Sequence, residues 1–445
     1  MQLPGSSIAR AVAVAIFLVA GASAAQTQPL AQRQHRVVSL KEALQLAAQK
    51  GPDVAAARAQ ADVVGVGVER AYTTWKPDLV ATGTFDHTSA PQIFDPAKLG
   101  LAGPPLEIVG ANSRFGTVQL SQPLFTPQGL FLPGVAKNAA DAASKGADEA
   151  REQVLLGVAR AYLGLQSLEG LLDAARDAER VALRREEDAK SRIAAGTDVE
   201  IALLRAQTDT ASARVQIATL EGQQASLLPT LEAFTGEAIA PQPLSSAPSL
   251  IPGPAEEATQ PWERTYGVQS AIAQVRAAQG SVKYDDYLWL PSIAGVAKGN
   301  YNSNAGFAGT NTSYDLILNV SIPLYDRGIR YTQLHEDQAR LRQGVANLAA
   351  TRARARAAWE GARANLMSSE VTLTQANSQA MLAARAQEQV EASYRAGVAT
   401  SLDLTDADNK KFAAASGAAQ ARATVEVRRA EVAAAEGRLF DDLGR

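Results

Sequence analysis

The chain contains no cysteine. That removes disulfides, thiolate metal sites, cysteine nucleophiles and a lipidated N-terminal cysteine from consideration. Its three histidines, His35, His87 and His335, are scattered and have no ligand spacing, so neither a metal nor a cofactor is expected. Aromatic residues make up only 5% of the sequence, and the net charge of −3 offers no basic surface for nucleic acid. No phosphate-cradling glycine loop and no nucleophile elbow is found, so catalysis is not expected. Long apolar runs are missing too, with one exception. Arg10 precedes an apolar stretch over Ala11–Ala20, followed by Ala22-Ser23-Ala24. The stretch falls short of the about 20 residues of a spanning helix. Its small-x-small ending marks residues 1–24 as a secretory signal peptide. Any membrane crossing must then use something other than a helix.

What is present is a duplication. Ser121-Gln122-Pro123-Leu124-Phe125 returns as Ser321-Ile322-Pro323-Leu324-Tyr325, and nearly the same interval separates Gly196 from Gly397. Pro77 and Pro291 each close a helical stretch before a strand at a looser spacing. The order of events recurs around each copy, so the chain reads as a tandem repeat. Repeat 1 covers 36–237 and repeat 2 covers 262–445, joined by a proline-rich connector over 238–261.

Alanine, glutamate, arginine and glutamine dominate the repeats and favour helix. A first helix starts at Ser39, an N-cap with Glu42 three residues on, and runs to about Trp75 before Pro77. A long helix spans about Gly134–Ala195 and ends at Gly196; a shorter one returns over Val199–Leu228, where Pro229 interrupts it. Repeat 2 gives helices over about Trp262–Leu288, Gly328–Ala396 and Leu402–Leu443. A helix of about 65 residues is on the order of 100 Å long, beyond an ordinary globular domain. An alternating four-three spacing runs through it from Leu341 and Val345 to Val390 and Tyr394, as expected of a helix packed lengthwise on neighbours. The two shorter helices of a repeat together match the long one and can stack end to end along it.

Four short segments alternate instead, at about 79–88, 115–124, 293–302 and 312–323, weakly in the first two, more weakly still in the Gly- and Ala-rich third and clearly in the last. In the last, Tyr314, Leu316, Leu318, Val320 and Ile322 share one face while Asp315, Asn319 and Ser321 take the other, with Ile317 as the exception. Its length suits a tilted membrane strand of about 9–11 residues. Four strands cannot close a bilayer-spanning barrel, because open edges in lipid leave backbone groups unpaired. Either several chains share one barrel, or the strands form a small soluble sheet capping a periplasmic helical scaffold.

With these pieces in order, the chain resembles the TolC family of outer-membrane efflux proteins. The resemblance rests on Ser39-Leu40-Lys41-Glu42-Ala43-Leu44, Pro77-Asp78-Leu79, the two Ser-x-Pro-Leu-aromatic motifs, Arg192 with Gly196 and Ala206-Gln207, Tyr394-Arg395-Ala396-Gly397, and Leu402-Asp403-Leu404-Thr405-Asp406-Ala407. It covers essentially all of both repeats. It implies a mainly α protein with a small β part: a homotrimer whose protomers donate four strands each to one transmembrane β-barrel above a helical α-barrel. The chain would then sit in the outer membrane of a Gram-negative bacterium, among outer-membrane lipid. It would act as a passive exit duct, with a periplasmic adaptor and an inner-membrane RND, ABC or MFS transporter as partners. The duct of a type I protein secretion system is the alternative within the same class.

The resemblance also assigns sites. Pro123 and Pro323 would mark the strand-to-helix junctions, since neither can donate to a ladder. Asp403, Asp406 and Tyr394 would form the periplasmic gate. Arg192, Gly196, Asp198, Arg395 and Gly397 would form the tip turns and adaptor-docking surface. Two positions depart from the family pattern: the tyrosine's acidic partner falls on Ala202 and a basic gate residue on Ala399. A latch here would draw on Asp198, Glu200 or Arg192 instead.

Overall fold

The computed structural model describes residues 35–100, 102–196, 199–243, 259–304 and 309–439. The expected signal peptide, Asp198 and most of the connector lie outside them. The chain begins with a short strand, β1 (Arg36–Val38), and two helices, α1 (Leu40–Lys50) and α2 (Pro52–Tyr72). Ser39 caps α1 by accepting the Glu42 amide at 3.3 Å. The single helix expected over this stretch is therefore two. Pro52 lacks an amide proton and opens α2 at its first position, where none is needed. Gly51 forms the joint: a Cβ there would lie 2.4 Å from the Ala47 carbonyl oxygen and 2.8 Å from that of Phe234. Both obstacles are backbone, so Gly51→Ala is expected to destabilise the chain by about 1–3 kcal/mol, read as a lower melting temperature.

Strand β2 (Asp78–His87) leads to a small hairpin of β3 (Gln92–Phe94) and β4 (Leu106–Val109). Strand β5 (Asn112–Phe125) then runs into the long helix α3 (Pro127–Ala194), 68 residues or about 100 Å. Pro123 does not end its strand. It pairs with Ala294, the register shifts between Pro123 and Phe125, and the turn into the helix falls at Thr126. A bulge absorbs a proline that the ladder cannot use.

Helix α3 also starts earlier than its sequence suggested, because Pro133 is accommodated inside it. A proline there cannot donate to the carbonyl four residues before, which is that of Gly129. The indole Nε1 of Trp75 takes that role, donating to the Gly129 carbonyl at 2.9 Å. The ring comes so close that a Cβ on Gly129 would lie 2.3 Å from it. Residue 129 is glycine for that reason.

Helix α4 (Glu200–Thr235) returns along α3 and runs through Pro229. Its last turns bury Leu231 and Thr235 completely. That burial outweighs the break expected at Leu228. Strand β6 (Ile239–Pro241) follows and pairs in parallel with β1. In repeat 2, α5 (Tyr266–Asp285), β7 (Ser292–Asn302), β8 (Thr312–Ser321), α6 (Ile329–Arg395) and α7 (Ser401–Ala435) repeat the plan. Helices α2 and α4 pack on α3, and α5 and α7 on α6, with α5 and α7 also reaching α3. Pro323 lies just beyond β8, ahead of the left-handed Arg327 and Gly328 that open α6.

The largest core lies midway along the rod. Val38, Leu44, Val54, Leu155, Val158, Leu165, Leu231, Ile239, Ala430 and Ala433 close around Tyr162. The Tyr162 hydroxyl donates to the Val38 carbonyl at 2.8 Å and accepts the Gln242 amide at 3.0 Å, tying β1 and β6 to α3. Away from this belt, α6 buries only Arg330, Asp337, Leu366, Ser369 and Gln387 among its 67 residues.

Candidate functional site

Two regions carry the functional geometry: the four-stranded sheet at one end and the helical turns at the other. The sheet has the order β2-β5-β7-β8 and is antiparallel throughout. Register fixes which residues share a face, because directly paired residues point the same way. Leu79, Ala81, Gly83 and Phe85 of β2 align with Leu120, Val118, Gly116 and Arg114 of β5. Those continue into Ala297, Gly299 and Tyr301 of β7 and on to Leu316, Tyr314 and Thr312 of β8. Apart from Arg114 and Thr312 toward its far end, this face is apolar and open: Tyr314 is 82% exposed and Leu316 78%.

The opposite face carries Thr82, Thr117, Gln119, Lys298, Asn300, Asp315 and Asn319. Lys298 lies directly across from Asp315, and the Asn300 amide donates to Asp315 at 2.8 Å. Strands β2 and β8 are the outer edges and have no partner on their far sides among the described residues. The described helices hold no stretch long and apolar enough to cross a membrane.

At the other end, Gly196 (φ 72°) and Gly397 (φ 78°) take the left-handed conformation where α3 and α6 stop. The Val398 amide bonds back to the Ser393 carbonyl at 2.9 Å, closing the end of α6. Thr400 and Asp403 cap α7 reciprocally, which is a capping box. The Thr400 hydroxyl and amide donate to Asp403 at 2.7 and 2.9 Å and hold its carboxyl below the usual carboxylate range. The cap contributes stability above the unfolded carboxyl range and loses it as pH falls through the depressed native value. Asp406 pairs instead with Lys410 at 2.6 Å, and Arg395 with Glu391. Within one chain, then, Asp403 and Asp406 have separate partners.

Tyr394 meets Arg192 across the two hairpins, the guanidinium 5.2 Å from the ring centre. One level higher, Arg185 of α3 pairs with Asp408 of α7, and the Thr405 hydroxyl donates to Asp209 of α4 at 3.4 Å. Burial draws the Arg185 guanidinium down from its ordinary range, while Asp209, Tyr394 and Glu391 oppose the shift. Sequence reading missed Arg185, Asp209 and Asp408. A signal existed: Arg185 and Asp408 carry opposite charge and stand equally far from their tip glycines.

A family profile described as outer membrane efflux protein matches residues 43–237 and 263–438. The chain belongs to the outer membrane efflux protein family. Its place is accordingly the outer membrane, and its role is that of an efflux exit duct. The fold of this efflux protein is shared with solved structures of low sequence identity. The CusC structure aligns with a TM-score of 0.76 and 17% identity over 91% of this chain and 93% of that one. VceC from Vibrio cholerae gives 0.71 and 16% over 89% and 96%. The open state of MtrE from Neisseria gonorrhoeae gives 0.72 and 16% over 90% and 89%. A search of curated proteins found no match.

Proposed function

We propose that three copies of the efflux protein close one β-barrel and one helical tunnel, forming a passive duct gated at its periplasmic tip. The observation that carries this reading is the sheet: apolar over most of one face, mainly polar on the other, and unpaired at β2 and β8 among the described residues. Lipid suits the first face and water the second. Edge strands in lipid need partners, and β8 of one copy meeting β2 of the next supplies them. The family's trimeric channels support that closure. Native mass spectrometry of the detergent-extracted protein is expected to give three times the chain mass, with discrete conductance in planar bilayers. A non-conducting monomer would refute the proposal.

The tip is read as the gate and the adaptor-docking end. Threefold symmetry would bring Asp403 and Asp406 of each copy around one entrance, making it attractive to cations. Asp403→Ala with Asp406→Ala is expected to raise conductance or weaken block by divalent cations; unchanged conductance and selectivity would place these acids elsewhere. The Arg192–Tyr394 stack serves as the latch between hairpins. A stack of this kind contributes about 0.5–1 kcal/mol at exposed sites. Arg192→Ala is therefore expected to favour opening about two- to fivefold for each protomer's hairpin pair, read as a raised open fraction in single-channel recordings. Exposed Val199, Leu204, Val398 and Leu402 beside the turns give a periplasmic adaptor an apolar surface, and through it an inner-membrane transporter. Cysteines placed at 398 and 402 are expected to crosslink to the adaptor, with none at Val345, which lies in the quarter of α6 nearest the sheet.

A further inference from the structure

Beneath the barrel, α5 and α6 bring two carboxyl groups face to face. Asp285 ends α5 and Asp337 lies two turns into α6; each is only 5% exposed. They are within hydrogen-bonding reach of one another, yet neither oxygen of Asp285 has a donor. Asp337 does have some support, from the Arg340 guanidinium at 3.3 Å and the Gln333 amide at 3.3 Å. Two carboxylates are acceptors only, so this contact becomes a bond only when one of them carries a proton. Leaving both ionised and buried would oppose like charges in a poorly solvated seam.

We propose that Asp285 and Asp337 form a proton-binding site, holding one proton between them across the α5–α6 seam and loosening that seam when the proton leaves.

The surroundings favour retention. On α5 and its cap, the neighbouring titratable groups are Asp286, which adds negative charge, Tyr284, raised above its usual range by burial, and Lys283, which is exposed. On α6, Arg340 is shared between Asp337 and Glu336, and Arg330 is turned away onto the Trp289 ring and Asp326. From α3, Gln128 bonds Tyr284 and Phe131 stacks on Tyr287, and neither carries charge. No cation therefore faces Asp285 among these groups. Burial first, then Asp337, pushes its carboxyl up to about 6. An unfolded aspartate releases its proton near pH 3.9. The native chain thus binds more protons between about pH 4 and 6. The stabilisation is full below that window and is lost as pH rises through it.

The site belongs to the same chain that forms the proposed duct but does not depend on duct activity. In the assembled, detergent-solubilised protein, Asp285→Asn supplies a permanent donor to Asp337. It is expected to melt several degrees above the parent at pH 8 and close to it at pH 5, with Asp286→Asn shifting the two pH values alike. Infrared spectra of the unmodified protein are expected to show a protonated-carboxyl band at pH 5 that fades by pH 8 and is missing from both Asp285→Asn and Asp337→Asn. An equal melting shift at both pH values would overturn the proposal. So would the lack of that band at pH 5, which needs no variant to fold.

Discussion

Leu316→Arg is expected to abolish assembly in the outer membrane, while Ile317→Arg, one residue on, leaves most of it intact. The two substitutions introduce the same side chain into the same strand and differ only in face. Leu316 lies across from Ala297 on the apolar face, and Ile317 across from Val296 on the face that also carries Asp315 and Asn319. By exposure in the single chain, Leu316 is the more open, 78% against 44%. A soluble protein would tolerate arginine there better than at 317. In a bilayer the order reverses, since arginine near the midplane of a barrel's lipid face costs about 2–4 kcal/mol and lumen substitutions cost little. Every copy in a trimer would bear that cost. Counting assembled protein in outer-membrane fractions separates the cases, and equal tolerance of both variants would mean that this face does not meet lipid.

Tyr162→Ala carries the second large effect, at the opposite extreme of environment. Its ring is enclosed by the mid-rod core, and burial raises the hydroxyl above the usual tyrosine range. Emptying that space is expected to cost about 3–5 kcal/mol. Tyr162→Phe fills the space but strands the Val38 carbonyl and the Gln242 amide, at about 1–3 kcal/mol. Denaturant unfolding monitored by circular dichroism distinguishes the two. If Phe is as damaging as Ala, the hydroxyl rather than the ring holds the belt together.

The duplication, the long helices and the alternating strands are legible because each is a periodic property of neighbouring residues. Tyr314, Leu316, Leu318 and Val320 announce a two-sided strand without help from the rest of the chain. What escaped sequence reading depends on partners far away in sequence. Strands β1 and β6 have three residues each and acquire meaning only by pairing with one another across repeat 1. Pro229 reads as a helix end but is overridden by burial of the turn beyond it, and α3 begins ahead of Pro133 because the Trp75 indole takes the donor role that proline lacks. Gly51-Pro52, conversely, divides a stretch whose composition reads as one helix. At the tip, Gly196, Gly397, Tyr394 and Arg192 stood out by position. Arg185 and Asp408 did not, since a charge on a long helix looks solvated until a second helix places its counterion.

The open edges of β2 and β8 also constrain the chain's itinerary. A lone copy suits neither phase: its apolar sheet face is disfavoured by water, and its unsatisfied strand edges are disfavoured by lipid. Insertion and association then become one event, and stability depends on how many copies are within reach. Before that event the same edges are templates for any other strand they meet. The vulnerable interval is the transit of a single, unassembled copy across the periplasm, and its length, more than the strength of any contact in the finished duct, would set how much protein is lost to aggregation.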